Sequence, residues 1–80
     1  MTIISKDVTG SKFPFSVELD DIDLREDGND ILVWCGTQFG DGTHPGGGID
    51  YDKPWIFNVY SNCIRFKKEA DRIWFIMRWS

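Results

Sequence analysis

The chain has 80 residues, of which 15% are aromatic and 28% charged, and its formal net charge is −4 at pH 7. A chain of this length supports one small core, so residues 1–80 are predicted to form a single domain. The excess of acidic residues disfavours nucleic acids and anionic membranes as direct ligands, because affinity for both depends on positive charge. It favours a partner protein with a basic surface.

The cysteines and the first residues indicate the compartment. The N-terminal residues lack the basic region and apolar stretch of a signal peptide, and no apolar run reaches the roughly 20 residues that span a bilayer. We therefore expect a cytoplasmic protein. Cys35 and Cys63 do not form a CxxC pair and have apolar neighbours, which predicts two buried free thiols. The alternative is a disulfide between them, if the strands that carry them pair.

The first 35 residues show strand patterns separated by turns. Residues 1–8 contain a short apolar run that fits an edge strand, and residues 13–19 alternate apolar and polar side chains. The alternation slips at Asp20-Asp21, which predicts a bulge or corner. Asp27-Gly28 lies between two apolar runs, a strong hairpin signal, and predicts that residues 31–35 form the return strand.

The last third of the chain has the pattern of an antiparallel meander. Residues 55–60, 63–67 and 72–79 are rich in β-branched and aromatic side chains. The best helical candidate, residues 67–72, spans little more than one turn. The prediction is an all-β or mainly β fold with five to six antiparallel strands curled into a small barrel or sandwich. Edge strands at 1–8 or 72–79 could pair between chains, so we expect a monomer or a homodimer.

Residues 36–54 form a glycine-rich loop that holds six of the eight glycines and the only histidine. A loop of this length without periodicity is typical of a functional or mobile segment. Its rings and charges suggest a small-ligand or nucleotide site as one hypothesis for the function. The candidate ligand-binding residues are Phe39, Asp41, His44, Tyr51, Lys53 and Trp55.

Known catalytic and metal-binding motifs do not fit this sequence. His44 has no serine elbow or activated cysteine motif near it, so we assign no catalytic residue and expect a protein that is not an enzyme. One histidine with two strand cysteines does not make a zinc site, and the acidic residues lack EF-hand spacing. We therefore expect no metal and no cofactor.

Protein binding is the hypothesis that the acidic residues favour. Six carboxylates lie between positions 20 and 30, on the predicted hairpin 17–35, where they could occupy a basic groove. These candidate partner-binding residues are Asp20, Asp21, Asp23, Glu26, Asp27 and Asp30. In size, charge and lack of catalytic motifs, the chain resembles small acidic anti-CRISPR or anti-restriction inhibitors from phages and mobile elements, and immunity proteins. The resemblance implies an inhibitor of a basic, nucleic-acid-handling protein.

Overall fold

The structure is a computed structural model that describes residues 2–42, 52–58 and 61–79, without the side chain of Arg25. The described residues form an antiparallel sheet and helices that share one core. The elements in chain order are β1 (Ile3–Asp7), β2 (Phe15–Leu19), α1 (Leu24–Asp27), α2 (Asn29–Phe39), β3 (Trp55–Asn58), β4 (Cys63–Phe66) and α3 (Glu69–Trp79).

The four strands are arranged in the order β1-β2-β4-β3, and every neighbouring pair is antiparallel. The register places Phe15 beside Phe66 and Phe66 beside Trp55. Two residues along, Val17 lies beside Ile64. Because successive side chains on a strand point to opposite faces, these residues form one apolar face of the sheet. Strands β1 and β3 are the two edges of this sheet. The predicted barrel or sandwich of five to six strands is therefore wrong, because the described residues form one open sheet of four strands.

Helices α2 and α3 cover this apolar face. The core cluster takes Ile31 and Cys35 from α2 and Phe75 from α3. Trp34 connects the two helices: its ring lies edge-on to Phe75 at 6.2 Å and to Trp79 at 6.0 Å, measured between centroids. Large rings let a short chain bury a substantial apolar area.

The opposite face of the sheet is covered near its centre by the segment between β1 and β2. The Arg65 side chain extends from β4 on this face, and its Nε donates to the carbonyl of Phe13 at 3.0 Å. Its guanidinium also donates to the hydroxyl of Ser11. Phe13 is buried, as are Ile56 and Cys63. Arg65 therefore anchors the connection rather than serving as a free surface charge.

The predicted all-β fold is wrong in two segments, of which residues 31–35 are the first. These residues lie in α2 and not in a return strand, so the predicted hairpin 17–35 does not form. A short apolar run fits a buried strand and a buried helix equally well, because neither shows a clear period. In the helix, Ile31 and Cys35 are four positions apart and both face the core.

Gly28 explains why the Asp-Gly signal was misleading. Its φ of −93° and ψ of 8° are open to any residue, so it does not serve a positive-φ hairpin turn. A Cβ on Gly28 would lie 2.6 Å from both the Cα and the carbonyl oxygen of Leu24. The glycine therefore permits close approach of α1 to the start of α2.

The second wrong segment, residues 72–79, lies in α3 rather than in a strand. Apolar residues occur on both sides of this helix, which obscures the 3.6-residue period in the sequence. The inward-facing apolar residues are Phe75, Ile76 and Trp79. The outward-facing apolar residues are Ile73, Trp74 and Met77. Strand pairing between chains through this segment is therefore wrong as well.

The predicted strand segments are confirmed in outline. The strand patterns before Asp20 and between Trp55 and Phe66 correspond to the four observed strands, and the chain bends at Asp20 and Asp21. The glycine-rich loop assigned to residues 36–54 is wrong at its start, because residues 36–39 belong to α2, and residues 43–51 lie outside the described residues. Cys35 and Cys63 are buried free thiols. Within the part of the chain that the structure describes, no helix has the length and apolar character needed to cross a membrane.

Candidate functional site

The acidic segment, defined as residues 20–30, runs from the end of β2 through α1 into the first turn of α2. Within this segment, Asp23 is partly buried and the other five acidic residues are exposed. The exposed residues are Asp20, Asp21, Glu26, Asp27 and Asp30. Among the described residues, no three or more side chains of the metal-binding types come together as a metal site. The segment thus concentrates negative charge on a short stretch of surface.

Asn62, in the turn before β4, anchors the acidic segment to the sheet. Its Oδ1 accepts the Leu24 amide at 2.8 Å, and its Nδ2 donates to the carbonyls of Leu19 at 2.7 Å and Ile22 at 2.5 Å. Its φ of 51° lies in the left-handed region, which asparagine tolerates better than most residues. Three side-chain hydrogen bonds from one residue therefore fix where the acidic segment leaves β2.

Asp21 and Asp23 have structural contacts of their own. The Asp21 carboxylate accepts the Thr2 amide at 3.0 Å, and this hydrogen bond lowers the pKa of Asp21. The Asp23 carbonyl accepts the amides of Glu26 at 3.1 Å and Asp27 at 2.8 Å, which begins α1. Substitution of Asp21 would remove its hydrogen bond to Thr2, so Asp21 is a poor test of partner binding.

Two aromatic residues of the predicted ligand site, Phe39 and Trp55, pack in or against the core. Trp55 is fully buried, and its Nε1 donates to the carbonyl of Gly40 at 2.9 Å. Phe39 is partly buried, with its ring edge-on to Trp34 and to Phe66 at centroid distances of 5.4 Å in both pairs. Both rings thus contribute to packing between α2 and the sheet.

Of the remaining candidates of the ligand site, the structure describes only Asp41 and Lys53. Asp41 is exposed and Lys53 is partly buried, whereas His44 and Tyr51 lie outside the described residues. A shallow cavity of about 380 Å³ lies between the C-terminal end of α2 and the start of α3. Its charged lining residues are Asp52, Lys67, Lys68 and Asp71.

A second exposed surface, the outer face of α3, is defined by Ala70, Ile73, Trp74 and Met77. The exposed fractions are 49% for Ile73, 55% for Trp74 and 69% for Met77, and Ala70 is also exposed. The spacing i, i+3, i+4, i+7 places all four on one side of the helix. Sequence reasoning missed this surface because it assigned a strand here, although the same spacing was the available signal.

A groove of about 590 Å³ lies between α2 and the C-terminal end of α3. The first turns of α2 line it together with Arg78 and Trp79, so the two helices run antiparallel. The Arg78 guanidinium lies 4.3 Å from the centroid of the Trp79 ring. The Trp79 indole nitrogen is buried and has no hydrogen-bond acceptor among the described residues. Asp30 also lines the groove, which therefore adjoins the end of the acidic segment.

Comparisons with known protein families, with characterised proteins and with solved structures find no match to this chain.

Proposed function

We propose that this protein is a non-enzymatic protein-binding module that contacts a partner with a basic surface through the acidic segment. The observation that supports it is the fixed position of the exposed carboxylates, which follows from the hydrogen bonds of Asn62 to Leu19, Ile22 and Leu24. Charges on a fixed segment lose less conformational freedom on binding than charges on a mobile loop. Complementary charge also speeds association and rejects acidic partners.

The finer proposal is an inhibitor of a basic, nucleic-acid-handling protein in the cytoplasm. A surface that binds phosphates carries arginine and lysine donors, and carboxylates accept hydrogen bonds from the same donors. The net charge of −4 supports long-range attraction to such a surface. The inhibitor would occupy the phosphate-binding groove and so exclude the nucleic acid.

The test removes two charges from the acidic segment at nearly constant side-chain size. The variant combines Glu26→Gln with Asp27→Asn, two exposed residues, and leaves the contacts of Asn62 in place. The matched control combines Glu18→Gln with Asp41→Asn, so it removes equal charge elsewhere. Tagged wild type and both variants are used to capture partners from lysate of the native source, and the affinity for the retained protein is then measured at low and high salt.

We expect a basic protein that binds the wild type and the control with similar affinity. The acidic-segment variant should bind about tenfold more weakly at low salt, and the difference should shrink as salt screens the charges. Equal weakening by both variants would show that only net charge matters. Full affinity in the acidic-segment variant would place the contact elsewhere.

Small-ligand binding is the second candidate function, supported by the cavity of about 380 Å³ beside the glycine-rich loop. Lys67 and Lys68 line it and could contact an anionic group. A thermal-shift screen with nucleotides and acidic metabolites tests this function, because a ligand that binds only the folded state raises the melting temperature. The shift should be smaller in Lys68→Gln, and a screen without any shift would refute ligand binding.

A further inference from the structure

We propose that the outer face of α3 is a homodimer interface, at which α3 of one copy packs antiparallel against α3 of a second copy. This inference is independent of the acidic segment. It uses a different surface and predicts self-association whether or not the proposed partner exists.

The first argument is the continuity of the exposed apolar surface. Single exposed apolar residues are normal on proteins, but a contiguous set is a feature of interaction surfaces. Ile73, Trp74 and Met77 are each about half exposed or more, and they lie on one side of α3. The core already uses the other side of the helix, through Phe75. A helix that is apolar on both sides is typical of a buried helix, so a second covering layer is expected.

The second argument is the fit of α3 to a copy of itself. A two-fold axis midway between positions 73 and 74 exchanges position 70 with position 77. The small Ala70 of one copy then lies opposite the long Met77 of the other, and Trp74 lies opposite Ile73. Large residues opposite small ones allow two helices to approach closely. Such a symmetric contact buries the same surface on both copies and closes at two subunits.

The third argument is the distribution of charge at the border of this face. The first turn of α3 carries Glu69 and Asp71, and the last turn carries Arg78. Asp71 and Arg78 are seven positions apart, so they lie on the same flank of the helix. An antiparallel copy brings Arg78 of one chain towards Asp71 of the other on the same side of the contact, whereas a parallel copy places the two charged flanks on opposite sides of it. The acidic first turn also disfavours an anionic membrane as the occupant of this face.

Sedimentation of the full chain over a concentration series tests the proposal. We expect a reversible monomer–dimer equilibrium in the wild type. Trp74→Glu should raise the dimer dissociation constant about tenfold or more, because it replaces the central aromatic contact with a charge. The matched control Ile4→Glu changes an exposed apolar residue on the opposite face of the sheet and should leave the constant unchanged. Circular dichroism confirms that both variants are folded.

Charge exchange tests the antiparallel orientation. Asp71→Arg and Arg78→Glu should each weaken self-association when studied alone, because each places like charges at the border. Mixed in equal amounts, the two variants should form a heterodimer in which every border pair has opposite charges. If the mixture associates no more strongly than each variant alone, the antiparallel arrangement is wrong.

Two results would overturn the homodimer itself. The first is a wild-type chain that stays monomeric at every concentration. The second is a dimer that Trp74→Glu does not weaken. If the chain is monomeric and Trp74→Glu instead abolishes binding to a captured protein, that protein and not a second copy covers the outer face of α3.

Discussion

The two sides of α3 carry similar apolar side chains in different surroundings. On the inner side, Phe75 is fully buried against the sheet and α2. On the outer side, Trp74 immediately precedes Phe75 in sequence and is 55% exposed. One residue of helix rotates a side chain by about 100°, which is enough to move it from core to surface. Hydrophobicity along α3 therefore does not by itself distinguish core residues from exposed ones.

The strongest test of this contrast compares Phe75→Ala with Trp74→Ala. Phe75→Ala should lower the free energy of unfolding by about 3–5 kcal/mol, because it leaves a cavity in the core. Trp74→Ala should change it by no more than about 0.5 kcal/mol in the monomer. Urea denaturation at low protein concentration measures both values without a contribution from dimerisation. Similar losses in the two variants would mean that both sides of α3 stabilise the monomer.

Two asparagine substitutions test the hydrogen bonds that hold the acidic segment. Asn62→Ala removes three side-chain hydrogen bonds, and it should cost about 1–3 kcal/mol by leaving the Leu19 and Ile22 carbonyls without these donors. Asn29→Ala is the control, since Asn29 is exposed in the first turn of α2. Asn62→Ala should also increase amide hydrogen exchange at Leu24. Unchanged exchange there would contradict the anchoring role.

Two glycine substitutions compare a crowded position at the start of α2 with an open position within it. Gly28→Ala should destabilise the protein by about 1–3 kcal/mol, because its methyl group would overlap the backbone of Leu24. Gly36→Ala should stabilise it by about 0.5–1 kcal/mol, since the added methyl group meets open space within a helix. Thermal and urea unfolding of the two variants measures both effects. A stabilising Gly28→Ala would refute the close approach of α1 and α2.

The smallest expected effect is that of Cys35 ionisation on the free energy of unfolding, which changes only at alkaline pH. Burial raises the pKa of the Cys35 thiol from 9.0 to about 12, so the folded state keeps its proton where the unfolded state loses it. This contribution to stability is fully present below pH 9 and is lost as pH rises from 9 towards about 12. Cys35→Ala should therefore show a weaker fall in the free energy of unfolding over this range than wild type. If the free energy of unfolding falls equally with pH in wild type and Cys35→Ala, the pKa of Cys35 is not raised by burial.

The strands were predictable because local chemistry specifies them. Val17 and Leu19 alternate with polar residues, and Ile64 and Phe66 do the same on β4. Such alternation matches a sheet with one face in the core. Both helices were assigned to strands. Residues 31–35 are apolar throughout and show no helical period, and the i, i+3, i+4, i+7 spacing in α3 is masked by apolar residues on its other side.

The candidate surfaces divide in the same way. The carboxylates of the acidic segment were visible as composition, and five of the six are exposed. Their attachment through Asn62 was not visible, because Asn62 lies 38 positions from Leu24 in the chain. The outer face of α3 was missed altogether. Ile73, Trp74 and Met77 were assigned to a strand.

The sequence by its own pattern indicates the acidic charge, the four strand segments and the burial of Cys35 and Cys63. These properties depend on the chemistry of single residues or on patterns within a few positions. Tertiary contacts decide which apolar runs become helices and which side of α3 remains exposed. An apolar side chain gains free energy by burial in either secondary structure, so the choice depends on the space that the sheet leaves beside it.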